Sequence, residues 1–375
     1  MVVLGVRGHL AVGSATYPGP STQMIGVRPE EESLAMAGCA TGDTPQTVLV
    51  TGASGALGPC IVRTLACAGL AVRVFSLHGR NREISFDGVQ VKVGDITDAL
   101  AVRDAMAGVD LVVHLAALLH VPNPIPALCE QYHHVNVDGT ATVVAEALRA
   151  GVRRLVFCST IGVYGETGGK IVDEDSGVNP ETLYAKTKLA GESIVLEARR
   201  SDGQSMGTVL RLGAAYGTRM KGNYQRLLRN LARGWLVPLR GGHNRRTLVY
   251  DKDIARAVLL AIQHPVAGGR VYNVTDGSFH TVIEITEAIC RALGRRTPRF
   301  SLPASLVRVG VGIVEDIAIK GGWRLPLGRS SIDTYMQDIA VLGDRIQEEL
   351  AFRPSYGLAA GWQDTVSQLR ERDDL

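Results

Sequence analysis

The sequence has no C-x-x-C pair and no cysteine with a histidine at metal-ligand spacing, although it holds six cysteines: Cys39, Cys60, Cys67, Cys129, Cys158 and Cys290. That excludes a zinc module and a small disulfide scaffold, and it makes a reducing cytoplasm the simplest home. No apolar run reaches the ~18 residues of a membrane helix. The nearest, Leu302 to Gly322, is interrupted by Arg308, Glu315, Asp316 and Lys320, so no integral membrane segment is expected. Arg7 is followed by no compact apolar region with a cleavage site, and no export signal is read. Charge of one sign is also lacking: 40 Lys plus Arg stand against 37 Asp plus Glu, and a net charge of +3 argues for no nucleic-acid partner. The 43 glycines follow no collagen period, and no repeat recurs at solenoid spacing. What is present, 375 residues with 46% hydrophobic and 21% charged, suits a globular chain of two domains or one large domain with additions.

Residues 1–46 are rich in Gly, Ser, Thr, Pro and Ala and carry Glu30-Glu31-Glu32 without sustained periodicity. They read as a disordered leader, or as sequence ahead of a natural start at Met24 or Met36. From Thr47 the texture changes. Thr47–Val50, Val72–Phe75, Val89–Val93, Leu111–Leu115, Leu155–Ser159 and Thr208–Leu212 are short apolar runs that read as buried strands. Between them Ile61–Ala68, Asp98–Ala107 (with Asp98 as N-cap), Val135–Ala150 and Glu181–Arg199 read as helices. Strands that are continuously apolar and alternate with helices predict a parallel sheet covered on both faces, a doubly wound α/β Rossmann architecture. Beyond Gly217 the pattern is more helical, which predicts a smaller, helix-rich C-terminal lobe. The expected division is a dinucleotide-binding domain at 47–217 and a substrate lobe at 218–375, with 246–275 returning to the sheet.

Three motifs carry chemistry. Gly52-Ala53-Ser54-Gly55-Ala56-Leu57-Gly58 places glycines at i, i+3 and i+6 after an apolar strand and before a helix. The first permits the tight turn, the second lets backbone approach a pyrophosphate, and the third permits close helix packing, with free N–H groups behind them. Tyr184 and Lys188 lie four apart on one helix face, where an ammonium favours the phenolate and makes the phenol a usable acid/base. Upstream, Cys158-Ser159-Thr160 puts hydroxyls at the C-terminal end of a strand, where doubly wound sheets place their sites.

Taken in order, these motifs resemble the extended short-chain dehydrogenase/reductases, in particular the nucleotide-sugar epimerase/dehydratase group, over residues 47–370. His114-Leu115-Ala116-Ala117, Asn136-Val137-Asp138-Gly139-Thr140, Leu210-Arg211 with Tyr216-Gly217, Arg246-Thr247-Leu248-Val249-Tyr250 with Asp253, Tyr272-Asn273-Val274 and Glu349–Pro354 are similar to further motifs of that group. The resemblance implies that Thr160 binds the substrate hydroxyl, Tyr184 is the acid/base and Lys188 holds the cofactor ribose and activates the phenol. It implies cofactor contacts from Gly52, Gly55, Ala56, Leu57, Gly58, Ser76, Asp95, Ile96, Ala116 and Ala117, and substrate contacts from Asn223 and Arg246. It also implies a homodimer that packs the helices near 135–150 and 181–199 into a four-helix bundle.

The departures narrow the reading. The 4,6-dehydratases of the group carry Asp-Glu after the threonine, where Ile161-Gly162 stands here, so dehydration is disfavoured. Leu212-Gly213-Ala214-Ala215 lacks the asparagine that epimerases use on the diphosphate, leaving Arg246 for a bidentate contact. At the end of the second strand Ser76 replaces the acidic residue usual for NAD, and His78, Arg80 and Arg82 follow, which tips the NAD or NADP choice toward NADP. The expected function is an NAD(P)-dependent epimerase acting on a nucleotide-activated sugar. The alternative is a reductase or dehydrogenase for a keto-sugar or for an apolar alcohol of steroid or flavonoid type. A non-enzymatic nucleotide-binding protein is the third reading.

Overall fold

The structure is a computed structural model and describes residues 45–77, 88–119, 126–234, 244–297 and 338–375. Residues 1–44 of the N-terminal extension, the basic residues His78, Arg80 and Arg82, and the stretch 302–323 lie outside the described residues. The chain opens with β1 (Thr47–Thr51), α1 (Gly58–Cys67), β2 (Ala71–Ser76), β3 (Gln90–Val93), α2 (Ala99–Met106) and β4 (Leu111–His114). Asp98 caps α2 by accepting from the backbone N–H of Leu100 and Ala101. There follow α3 (Pro126–His133), a π-helical segment (His134–Asp138), α4 (Gly139–Arg149) and β5 (Arg154–Thr160). Next come β6 (Ile171–Val172), α5 (Leu183–Glu197), β7 (Gly207–Leu212) and β8 (Ala214–Tyr216). The expected helix Val135–Ala150 thus begins within a wider π turn and is α-helical from Gly139 to Arg149.

Six of these strands and one from later in the chain, β11, form a seven-stranded sheet in the order β11-β7-β5-β4-β1-β2-β3. Every pairing in it is parallel. Successive residues of one strand serve opposite faces. Val48 and Val50 of β1 pack with Ile61, Val62 and Leu65 of α1, while Leu49 packs with Val102 and Ala105 of α2 and Val143 of α4. Burying each such side chain contributes roughly 1.5–3 kcal/mol. The chain runs from β1 outward to β3, then returns to β4 and proceeds the other way. The C-terminal ends of β1 and β4 are therefore the switch point, where an open sheet leaves a crevice.

The remaining elements are α6 (Asn223–Ala232), β9 (Arg245–Arg246), β10 (Leu248–Tyr250), α7 (Asp251–Gln263), β11 (Val271–Val274), β12 (His280–Thr281), α8 (Val282–Leu293), β13 (Ala340–Val341), α9 (Asp344–Glu349) and α10 (Leu358–Glu371). They serve two ends. β11 joins the edge of the central sheet beside β7, and α7 packs on the α1 face through Ile254, Ala255 and Val258. α6, α8 and α10 enclose a separate core around Trp362, Tyr216 and Tyr250, with the Tyr216 and Trp362 rings stacked at 4.8 Å. Among the described residues no helix is long and apolar enough to cross a membrane.

Candidate active site

At the switch point Gly52 has φ +70, and a Cβ there would lie 2.5 Å from the backbone N of Ala116. Only glycine lets the turn after β1 lie against the segment after β4. Gly55 N–H donates to Gly52 O at 2.9 Å and closes the turn. Gly58 opens α1 with its Cα against Ala53, so that a Cβ would sit 1.8 Å from the Ala53 carbonyl. No side chain caps α1; Leu57 holds the cap position, and Pro59 follows at the first turn. The helix thus presents its N-terminal N–H groups and positive dipole end to a glycine-rich turn, which fits a dinucleotide pyrophosphate. Gly58→Ala is expected to abolish dinucleotide binding in a fluorescence titration and to destabilise the fold by about 2 kcal/mol through overpacking.

Around the cradle, Ser76 is buried at the end of β2 with its Oγ 3.4 Å from Ser54 Oγ. Asp95 accepts from Thr97 N–H at 2.9 Å and shapes the turn before α2. Ile96 is buried, and its side chain occupies the space beside Gly139 that a Cβ would need. Ala116 and Ala117 are half-buried, and Ala116 N–H donates to Thr51 Oγ1 at 3.3 Å. Ala56 and Leu57 are half-buried in the turn itself.

The segment after β4 is held by a buried polar chain. Thr140 donates to Asn136 O at 2.7 Å, so it accepts from His114 Nε2 at 3.0 Å, and His114 Nδ1 then accepts from Thr51 Oγ1 at 2.6 Å. Burial pushes His114 down to about 3, so it is a neutral structural histidine. Asn136, in the π segment, accepts from Leu118 N–H at 2.7 Å and donates to Leu118 O at 3.2 Å and Thr187 Oγ1 at 3.0 Å. One asparagine therefore ties the β4 loop to α5. Asn136 lies within the π turn, a kind of turn common at functional sites.

Thr160 ends β5, and its Oγ1 accepts from Gly162 N–H at 3.1 Å, starting the short 3-10 turn Ile161–Tyr164. Gly162 lies against α5: a Cβ there would be 3.7 Å from the Cβ of Ala185. Thr182 caps α5 on Ala185 N–H at 3.1 Å, so Tyr184 falls in the first turn and Lys188 one turn later on the same face. Thr160, Tyr184 and Lys188 are thus carried on two adjoining elements. Tyr184 OH makes no hydrogen bond among the described residues. Burial pushes it up to about 12, with Cys158 and Tyr132 adding to the effect. The sequence expectation, a phenol lowered by its lysine, is corrected here because desolvation dominates. Lys188 is buried with Nζ 3.8 Å from the centre of the Phe157 ring, and burial lowers it to about 8 against the opposing pull of Cys158 and Glu192. A buried ammonium with no hydrogen bond or ion pair among the described residues suits a polyhydroxyl ligand such as a ribose.

Asn223 and Arg246 sit elsewhere, in the second half of the chain. Asn223 is the first residue of α6; the cap position belongs to Gly222, φ +93, so Asn223 does not cap the helix. Arg246 is buried in β9, opposite His280 of β12, and its charge acts on Tyr224 beside Asn223. Sequence reasoning missed Glu192. It is four residues beyond Lys188, accepts from Ser159 Oγ and is gripped by Arg211 at 2.7 Å. The only signal was its helical spacing. Among the described residues no cluster of three or more His, Cys, Asp or Glu is placed to hold a metal.

Comparison with known proteins agrees with this geometry. The chain is 30% identical over 273 residues to UDP-glucose 4-epimerase of Vibrio cholerae, spanning 70% of this chain and 81% of that one. It is 29% identical over 275 residues to the N-acetyl-alpha-D-glucosaminyl-diphospho-ditrans,octacis-undecaprenol 4-epimerase of Escherichia coli O157:H7, spanning 73% and 80%. Among solved structures it is similar to the dTDP-glucose 4,6-dehydratase DesIV of Streptomyces venezuelae with NAD bound, at TM-score 0.70 and 26% identity, over 87% of this chain and 97% of that one. The model of the NAD dependent epimerase/dehydratase family matches residues 48–275. With a glycine cradle at the switch point and Tyr184 and Lys188 on the helix beside it, the chain belongs to the NAD dependent epimerase/dehydratase family of extended short-chain dehydrogenase/reductases.

Proposed function

We propose that the protein is an NAD(P)-dependent epimerase of a nucleotide-activated sugar. Tyr184 receives the proton of the reacting sugar hydroxyl and later returns it, while Thr160 bonds the same oxygen. Lys188 bonds the cofactor ribose and supports negative charge on the phenol oxygen. A bound nicotinamide supplies the hydride acceptor and donor. Inversion then requires that the keto sugar present its other face before Tyr184 returns the proton. Arg246 and Asn223 are the proposed diphosphate contacts of a substrate lobe drawn from 218–375, from which 246–275 returns to the central sheet, and α4 with α5 the proposed dimer face.

The observation that carries this reading over elimination is the pair after Thr160. Ile161 is buried with Val163, Tyr164 and Val341, and Gly162 has no side chain, so neither position supplies a carboxyl to the substrate. The second reading, a reductase or dehydrogenase for a ketone, is favoured by Ser76, an uncharged residue where an NAD ribose usually meets a carboxylate. The test is to denature the purified protein and identify any released nucleotide by mass spectrometry and absorbance. About one NAD per chain and interconversion of two nucleotide-sugar epimers are expected. An empty protein that binds NADPH and turns over ketones would establish the second reading in its place.

A further inference from the structure

Glu192 is charged, buried and outside every role assigned so far. It lies one helical turn beyond Lys188 on the same face of α5. Ser159 on β5 donates to its Oε1. Arg211 on β7 grips it from the other side, with Nε at 3.2 and 3.1 Å from the two carboxylate oxygens and Nη2 at 2.7 Å from Oε2. The fork does not end there. Arg211 Nη1 donates to Tyr164 OH at 3.0 Å, Tyr164 OH donates to Asn273 Oδ1 at 2.9 Å, and Asn273 Nδ2 donates to Leu342 O at 2.9 Å. The chain of bonds thus crosses β5, β7 and β11 beneath the helix that carries Tyr184 and Lys188.

We infer that Glu192 is a positioning residue for Lys188: clamped between Ser159 and Arg211, it fixes the third turn of α5 against the sheet and holds a negative charge one helical turn from Lys188 on the same face. The inference rests on the proposed role of Lys188. Of the other groups around Lys188, Cys158 acts in the same direction as Glu192, but its thiol carries no charge while it keeps its proton. From β4 comes His114, which is neutral; from β5 come the Phe157 ring and Cys158, whose thiol burial pushes up to about 12; from α5 itself comes Tyr184, also pushed up to about 12. Arg211, from β7, is cationic and is engaged by Glu192. Glu192 opposes the loss of the Lys188 proton that burial favours. Removing its charge therefore shifts Lys188 further toward the neutral amine.

The test is Glu192→Gln, with Glu192→Asp as the conservative partner that keeps Arg211 paired should the glutamine variant not fold. Loss of Lys188 charge sets the alkaline limb of kcat/KM. That limb is expected to move to lower pH by about one unit in Glu192→Gln, less in Glu192→Asp. Independently of activity, the gain in melting temperature produced by Lys188→Met at pH 7 should be larger in the Glu192→Gln or Glu192→Asp background than in the wild-type one. A uniform fall in kcat with an unmoved limb, and Lys188→Met and Glu192 effects that add without coupling, would overturn the inference and leave Glu192 a structural residue. If Lys188→Met itself leaves turnover intact, the proposed role of Lys188 fails instead.

Discussion

Tyr184→Phe is expected to lower kcat by about 10³-fold while cofactor binding and melting temperature stay near those of the wild-type protein. The substitution removes one oxygen and nothing that holds the fold, because Tyr184 OH makes no hydrogen bond among the described residues. Its expected size follows from the proposed chemistry of the phenol. Positioned proton transfer is worth roughly 10²–10⁴-fold, and no carboxylate follows Thr160 to take over. Burial sharpens the pH dependence. With the phenol pushed up to about 12 and Lys188 lowered to about 8, the hydroxyl is almost wholly protonated at neutral pH while the ammonium begins to lose its charge just above it. Turnover should rise from pH 6 toward 8 as the small phenolate fraction grows, then level or fall as Lys188 loses its proton. Tyr184→Phe should flatten that rise. Wild-type turnover from the phenylalanine variant would remove the proposed acid/base.

The legible parts of this molecule are those whose cause is local. Six strands can be read because each is a continuous apolar run, and burial on both faces demands just that. Asp98 is legible as a cap because a carboxylate ahead of a helical stretch has one nearby use. Gly52 and Gly58 are legible because their spacing encodes a turn and a contact, and a Cβ at either position would clash with backbone. The illegible parts depend on distant partners. Nothing in His134-Val135-Asn136-Val137-Asp138 announces a π turn; it forms where Asn136 finds Leu118 and Thr187, which only the fold brings together. Glu192 has a spacing but no visible partner in the sequence, since Arg211 arrives from a strand after the helix. Helical spacing misjudges the phenol of Tyr184 because it reports which charge is near but not how much water is excluded.

Lys188→Met is expected to raise stability at pH 7 while lowering kcat at least about 100-fold, a combination that separates this lysine from an ordinary core residue. The lysine is charged in the unfolded chain up to about 10.5 but only up to about 8 when buried in the fold. Between those values the unfolded chain binds more protons, so the wild-type protein gains stability as pH rises from 8 toward 10. Below 8 the full cost of burying the ammonium is present, on the order of 3 kcal/mol for a shift of this size. Methionine removes that cost and keeps an apolar chain against Phe157, but it forfeits the cation–π contact, worth about 1 kcal/mol. The net gain should be about 1–2 kcal/mol at pH 7, seen as a melting temperature several degrees higher, and should vanish near pH 10. Melts of both proteins at pH 7 and pH 10 decide it. A variant that is less stable at pH 7 would mean that the folded protein stabilises this ammonium more than its burial costs, and Lys188 would then be a structural cation and not a charge kept under tension for its ligand.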